Sequence, residues 1–531
     1  MKTPARFVRI ASLSAAVLAI ASAPLVADQA APGWKPLFDG KTLEGWSCPE
    51  MKYWSVQDGA ITAESSEANP CPQNQFLVWQ HGEVDDFELK LKFRIFGSDK
   101  ANSGIQIRSA IKPEDGHLYG YQCDMDRAKG WLGALYDEHT GRRVLAPRGK
   151  SVSITPQGKR SEKDLGDPAK LVEGIDVEQW NEYHIKAAGS VITISINGKV
   201  TAKVDDKEIS GYDAKGLLAL QIHSGPPMKV QFKDIQLKRL PLSDGRKKIV
   251  FLSGIPSHPP RTHEHRAGCW LLAKCLNDYN ADKALATVYY DQGWPADQTA
   301  FDNADAVVIY SDGNAKHPLM ENLELWSKID KRGVGLGCIH YAVEVPTGDP
   351  ADALRNFIGG VFETYYSVNP HWVGKFDIKP THPITRGVAP YEINDEWYYH
   401  MRFREGMAGV TPILVSTPPD ETRTFRWGHH HGGNAHVKKR MGMAETVMWA
   451  SENPTGSRGF GFTGGHYHDN WANNSHRKVV LNAILWAAKG NVPVTGVPSS
   501  VSKEDLNTNL DNKPEKKPRK PKKAKAKAAK K

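Results

Sequence analysis

Phe87-Glu-Leu-Lys-Leu-Lys-Phe-Arg-Ile95 alternates without exception: odd positions are apolar and even positions charged. Successive side chains of a strand point to opposite faces. The stretch therefore reads as a β-strand with one face on a core and the other in water. The pattern recurs around it. Gly104-Ile-Gln-Ile-Arg108, Tyr121-Gln-Cys-Asp-Met-Asp126 and Leu218-Ala-Leu-Gln-Ile-His223 alternate in the same way, and Val191 to Asn197 runs into an Asn-Gly turn at Gly198. Many short strands broken by Gly, Asp and Asn turns predict a β-sandwich over 33–240. Residues 140–175 are polar and charged and predict a long loop.

The period changes at Leu240-Pro-Leu-Ser-Asp-Gly245. Lys248-Ile-Val-Phe-Leu-Ser-Gly254 is a continuous apolar run, as in a strand buried on both faces. A helix is predicted over about 266–278, then strands Ala286 to Tyr290 and Ala306 to Tyr310. A helix over about 318–331 precedes strand Gly333 to His340, and Ser475 to Lys489 reads as a closing amphipathic helix ended by Gly490. Alternating β and α signals predict a second domain over 246–492, an open, doubly wound parallel sheet. A chain of 531 residues is too long for a single core, which agrees with this division.

Lys2, Arg6 and Arg9 precede an apolar run from Ile10 to Leu25 and small residues up to Ala27. They predict a signal peptide over 1–27 and a periplasmic or secreted protein. That run is too short and too rich in Ala and Ser for a transmembrane segment, and no later stretch is long and apolar enough. The formal charge of +9 is local: residues 513–531 hold ten Lys, one Arg and one Glu, so the other 512 residues sum to −1. The body is not basic, which argues against a specific nucleic-acid partner. Residues 496–531 predict a disordered Lys-rich tail, either merely solvated or in contact with anionic envelope polymers. Six cysteines form no disulfide framework; only Cys48 and Cys71 are candidates for a bridge.

Leu37-Phe-Asp-Gly-Lys-Thr-Leu-Glu-Gly-Trp46 resembles the opening motif of the 3-keto-disaccharide hydrolase domain family, a jelly-roll (concanavalin-like) sandwich of secreted bacterial proteins. Asn102-Ser-Gly-Ile105, Gly133-Ala-Leu-Tyr136 and Trp180-Asn-Glu-Tyr183 extend the likeness over about 33–240. Further on, Ser257-His258, His263-Glu-His265-Arg-Ala-Gly268, Gly337-Cys-Ile-His340, Thr381-His-Pro-Ile-Thr385, Asp395-Glu396 and Gly464-Gly-His466 resemble the trehalose-utilisation (ThuA-like) family. That resemblance implies a flavodoxin-like α/β fold related to class I glutamine amidotransferases.

Two candidate sites follow. On the sandwich, the polar faces of the alternating strands carry Gln106 and Arg108, Gln122, Asp124 and Asp126, and Gln221 and His223. Carboxylates, amides and a cation on one concave face suit a carbohydrate substrate. The first resemblance implies cleavage of 3-keto-glycosides: the ketone acidifies the hydrogen on carbon 2, a base removes it, the bond at carbon 1 eliminates, and water adds. Asp124 or His223 is the expected base, Arg108 the oxyanion stabiliser and Tyr136 a donor. Gln106, Gln122, Asp126 and Gln221 are expected to bind substrate. In the second domain, loops after the strands carry His258, His263 and His265, which with nearby carboxylates either form a site for a divalent metal or a general base, or hydrogen-bond the loops together. His340, an expected catalytic residue, ends a strand where the amidotransferases place their nucleophile, and Asp395, Glu396 and His466, expected to bind substrate, come from later loops that could converge there. Cys338 reads as structural. His429-His-His431-Gly-Gly reads as a loop. Two alternatives stand beside the sandwich enzyme: a non-catalytic glycan-binding sandwich, and a hydrolase whose only active site lies in the ThuA-like domain.

Overall fold

A computed structural model describes residues 33–514 except 113–115, 281, 380 and 425–432. The signal segment, the His429–His431 run and the lysines beyond 514 lie outside the described residues. Phe87–Gly97 is the central strand of the first domain, paired with Met228–Arg239 on one side and Asn181–Ala188 on the other. Phe87, Leu89, Leu91, Phe93 and Ile95 are all buried, so the alternation marks the core face. This ten-stranded sheet packs on a seven-stranded sheet. The second sheet runs in the order Arg143–Ala146, Leu135–Glu138, Leu118–Asp126, Asn102–Ile111, Leu217–Ile222, Gln75–Trp79 and Trp46–Ser47. One continuous apolar core lies between the two sheets. Leu37, Phe38 and Leu43 pack against its rim, and the Trp46 indole donates to the Leu37 carbonyl at 2.9 Å, closing the opening motif on itself.

The predicted loop over 140–175 is instead partly strand: Arg143–Ala146, Lys150–Ile154 and Arg160–Asp164, with the short helix Pro168–Leu171. Arg160–Asp164 is exposed throughout. An edge strand with no buried face has no hydrophobic period to read.

In the second domain a seven-stranded sheet runs in the order Ala284–Tyr289, Lys247–Ser253, Ala306–Tyr310, Gly335–Ile339, Arg458–Phe462, Glu445–Glu452 and Val410–Ser416. The first five strands are parallel. The last two are antiparallel, so the sheet is mixed rather than purely parallel as predicted. Helices His265–Tyr279 and Asn474–Ala487 cover one face, and Leu323–Asp330 and Asp349–Ile358 the other. Arg458–Phe462 escaped the sequence reading because two of its five residues are glycine. A Cβ at Gly459 would collide with the Phe357 carbonyl, and one at Gly461 with the Trp449 ring.

The domains are joined by buried charge. Lys248 of the second domain reaches Asp85 of the first and donates to Thr287 Oγ1 at 2.6 Å. Arg239 donates to Asp297 Oδ2 at 2.8 Å, and Asn303 to Asp85 Oδ1 at 2.9 Å. Burial opposes the Asp85 charge, yet Lys248 and Arg239 hold its carboxyl well below the usual range.

The tail predicted from 496 is in part folded. Val497 is buried, Leu506 packs on the core between the sheet and its helices, and Lys513 reaches the loop before helix His265–Tyr279. All six cysteines are free and buried, Cys48 and Cys71 included.

Candidate active sites

The first site lies on the outer face of the seven-stranded sheet. Strands Asn102–Ile111 and Leu118–Asp126 set Gln106 opposite Gln122 and Gly104 opposite Asp124. The Ser109 hydroxyl donates to Gln106 Oε1 (2.6 Å), the Gln106 amide to Gln122 Oε1 (2.8 Å) and the Gln122 amide to Asp124 Oδ1 (2.8 Å). This chain of amides runs over Gly104, where a Cβ would stand 2.6 Å from Gln122 Cγ. Asp124 lines a cleft of about 480 Å3 with Trp131, Tyr136, Glu138, His139, Arg143 and His223. Burial pushes its carboxyl up to about 8, and the nearby Glu138 and Asp126 charges add to the shift. His223 Nδ1 sits 2.6 Å from the Ser224 carbonyl, so Nδ1 carries the proton and Nε2 the lone pair. Asn74 ties the two halves of the cleft: its amide donates to Glu138 Oε1 (3.1 Å) and its carbonyl accepts from the Ser224 amide (2.9 Å). Trp131 is half-exposed and edge-on to Tyr136, an aromatic rim.

Four expected residues play other parts. Arg108 lies in a β-bulge with φ of 47°, where the pairing shifts register. The bulge turns its guanidinium under the sheet, fully buried against Asp86 (2.9 Å) and the Asp85 and Gly189 carbonyls. It is not placed to stabilise an oxyanion in the cleft. Asp126 accepts from the amides of Gly130, Trp131 and Leu132, fixing the loop that carries Trp131. Gln221 and Gln106 are wholly buried, so neither meets a substrate directly. Sequence reading missed Glu138, His139 and Arg143. The strand Leu135–Glu138 is too short to show a period, and Arg143 lay in the supposed loop.

The second site is at the carboxyl ends of the parallel strands, where open α/β sheets bind ligands. His263 follows strand Lys247–Ser253, His340 follows Gly335–Ile339, His466 follows Arg458–Phe462, and Glu396 ends Tyr391–Glu396. Their ligand atoms converge. His263 Nε2 lies 3.0 Å from both His340 Nε2 and His466 Nδ1, and Glu396 Oε2 lies 3.1 Å from His466 Nδ1 and 3.5 Å from His340 Nε2. All four residues are buried.

The outer contacts decide what these atoms can be. His263 Nδ1 meets the Asp312 carboxylate (3.0 Å) and His340 Nδ1 the Thr463 carbonyl (2.9 Å). Both acceptors demand a proton on Nδ1, which leaves the two facing Nε2 atoms as lone pairs. Burial and the neighbouring imidazoles press His263 far below the ordinary histidine range. Burial opposes the charge of Glu396, but His340 and His466 hold its carboxyl well below its usual value. The same pairing with Glu396 raises His340 despite burial. Opposed lone pairs with a carboxylate need a cation at the centre. A proton on His340 relieves part of the conflict, and a metal ion relieves all of it. Four ligands at 2.0–2.1 Å in a tetrahedron lie roughly 3.3 Å apart; four of the six separations here are 3.0–3.5 Å, and all lie within 4.8 Å. The donor set could therefore hold a metal.

Of the three expected metal histidines only His263 belongs to this centre. His258 is exposed and stacks on the His263 ring at 3.6 Å; with His263 and Asp312 it forms a second, adjoining group whose atoms could hold an ion. His265 stands behind the centre, with Nδ1 3.0 Å from the Ile255 carbonyl and Nε2 3.9 Å from Asp312 Oδ1. Asp395 is a scaffold rather than a substrate ligand: it accepts from the amides of Gly465 and His466 and from Asn470. His340 and His263 both adopt left-handed backbone (φ 58° and 47°), uncommon for residues with a Cβ and concentrated at functional sites. Cys338 is buried within its strand, and burial pushes its thiol far up, which rules it out as a nucleophile.

Residues 33–238 match the family model of the 3-keto-alpha-glucoside-1,2-lyase-like domain, and residues 262–487 match that of the trehalose-utilisation (ThuA) family. No curated protein matches the chain. Among solved structures, a provisionally named glycosyl hydrolase of Parabacteroides distasonis is 23% identical over 39% of this chain and 99% of its own (TM-score 0.27). A provisionally named ThuA-like protein of Bacteroides uniformis is 14% identical over 46% of this chain and 91% of its own (TM-score 0.34). A carbohydrate-binding module of Bacillus subtilis is 14% identical over 39% of this chain and 95% of its own (TM-score 0.24).

Proposed function

From a lyase-like sandwich joined to a trehalose-utilisation domain, we propose an exported carbohydrate-active enzyme that cleaves 3-keto-glycosides in the sandwich cleft. The observation that carries this is the placement of Asp124, a buried carboxyl on the wall of a cleft rimmed by aromatic rings, whose burial pushes it up to about 8 and so favours the protonated acid. His223 Nε2 removes the carbon-2 proton. Arg143, not Arg108, faces the enolate oxygen. The enolate electrons return to form the carbon 1–carbon 2 double bond and expel the glycosidic oxygen, which takes the Asp124 proton. Water then adds across the double bond: Asp124 recovers a proton from it, and His223 returns its own to carbon 2. Glu138 lines the cleft next to His139 and is placed to hold sugar hydroxyls. The test is turnover of 3-keto-trehalose and 3-keto-glucosides by the mature chain. Loss of cleavage in Asp124→Asn and His223→Ala supports the reading, and glycan binding with no cleavage by the wild type overturns it.

A second centre is favoured by the facing lone pairs of His263 and His340. We assign His263, His340, His466 and Glu396 as ligands of a divalent cation of the zinc class. Such an ion would supply Lewis acidity, and it would bind a water only by expanding beyond the four protein ligands. Asp312 and the Thr463 carbonyl fix the imidazoles, and His258 stacks on the His263 ring. The flavodoxin-like kinship suggested by the sequence is supported by the parallel strand order, and the lysines beyond residue 514 suit an anionic envelope polymer.

A further inference from the structure

We infer that residues 502–513 form a clamp that positions the metal-centre loop, with Lys513 as its key. This rests on the assignment of His263 as a metal ligand.

The loop carrying His263 is held in unfavourable backbone. His258, Arg261 and His263 all have left-handed φ (62°, 68° and 47°). Residues with a Cβ keep such conformations only where their surroundings over-determine them. One flank supplies part of that constraint: the His263 amide donates to the His466 carbonyl (3.0 Å) and the His468 amide to the Arg261 carbonyl (2.9 Å). The other flank is the C-terminal strap. The Lys513 ammonium donates to two successive carbonyls, those of Thr262 (2.7 Å) and His263 itself (3.0 Å). Two such bonds fix the peptide planes on both sides of the His263 Cα, and so the direction in which its imidazole leaves the chain.

The ammonium is itself built in. It is nearly inaccessible to solvent, 3.3 Å from Glu264 Oε1 and 3.5 Å from Asp511 Oδ2. The Asp511 amide donates to Glu264 Oε2 (2.9 Å), and Glu264 Oε1 accepts from the Arg261 amide (2.8 Å). Upstream, Arg261 donates to the Leu506 carbonyl (3.1 Å) and to Asn507 Oδ1 (2.9 Å), while Leu506 packs on the domain core. A buried lysine is costly unless it is paired; here two carbonyls accept from it and the Glu264 and Asp511 carboxylates flank it, with Asp511 Oδ2 making no hydrogen bond of its own. The strap therefore closes a circuit around a single ligand residue.

The test uses the mature full-length chain titrated with Co(II), read by calorimetry and by the visible absorption of the bound ion. Lys513→Met is expected to weaken Co(II) binding by about 10–100-fold, the usual effect of losing an outer-shell partner, and to alter the absorption envelope. Lys513→Arg, which keeps the donors, is expected to restore part of the affinity. Removing only 515–531 is expected to change neither. Unfolding temperatures of the metal-free proteins separate the clamp from general stability. Wild-type Co(II) affinity in folded Lys513→Met, or an equal loss on removing 515–531, overturns the clamp. Failure of the wild type to bind Co(II) removes the metal centre itself, and the clamp with it.

Discussion

Asp124→Asn should stabilise the protein while disabling it. Burial raises the folded carboxyl from 3.8 to about 8, whereas the unfolded chain ionises near the ordinary value. Below pH 3.8 both states carry the proton and the group costs nothing. Between there and pH 8 the unfolded state releases it and the native state does not, so native stability falls as pH rises. At about 1.4 kcal/mol per pH unit the span is worth roughly 5–6 kcal/mol, an upper bound because native-state relaxation reduces it. Asparagine keeps the acceptor for the Gln122 amide and never ionises. The variant should thus match the wild type near pH 4 and exceed it progressively up to pH 8. Cleavage of 3-keto-glucosides should fall by about 10²–10⁴, the usual worth of a positioned acid. Urea denaturation at half-unit pH steps, with turnover on the same samples, measures both. A stability difference that is flat from pH 4 to 9, or turnover within threefold of wild type, refutes the reasoning.

Arg108→Ala should be a folding defect and not a catalytic one. It leaves the buried Asp86 carboxylate short of its cation, at a cost of about 3–5 kcal/mol, and residual folded protein should keep its KM. Zn(II) at a hundred times its Kd should stabilise the wild type by about 2.7 kcal/mol. His340→Ala should lose that response in a thermal melt while retaining 3-keto-glucoside cleavage in the sandwich. Lys248→Met should cost about 3–5 kcal/mol by stripping Asp85 of a buried partner. Calorimetry should then resolve two transitions where the wild type shows one.

What the sequence alone determined is what repeats locally. The alternation from Phe87 to Ile95 specifies a strand, its buried face and its place in a sandwich, because side-chain direction in a strand has period two. The run from Lys248 to Gly254 specifies a strand covered on both faces, and the His-rich loops point to the end of the sheet where the buried His/Glu cluster assembles. Where local pattern and tertiary demand part company, only the folded chain decides. Arg108 continues the polar face of its strand in sequence, yet a one-residue bulge sends it to Asp86, and no period reports a bulge. Arg458–Phe462 and Arg160–Asp164 are strands without a readable pattern, one made of glycines pressed against neighbours and the other lacking a buried side. The buried His/Glu cluster is the clearest case. His263, His340, Glu396 and His466 span some two hundred residues of chain, and their sequence neighbours His258 and His265 look equally eligible. Which imidazoles share a centre depends on strand order and on which nitrogen each carbonyl or carboxylate claims. Those are long-range contacts, and a linear pattern carries no record of them.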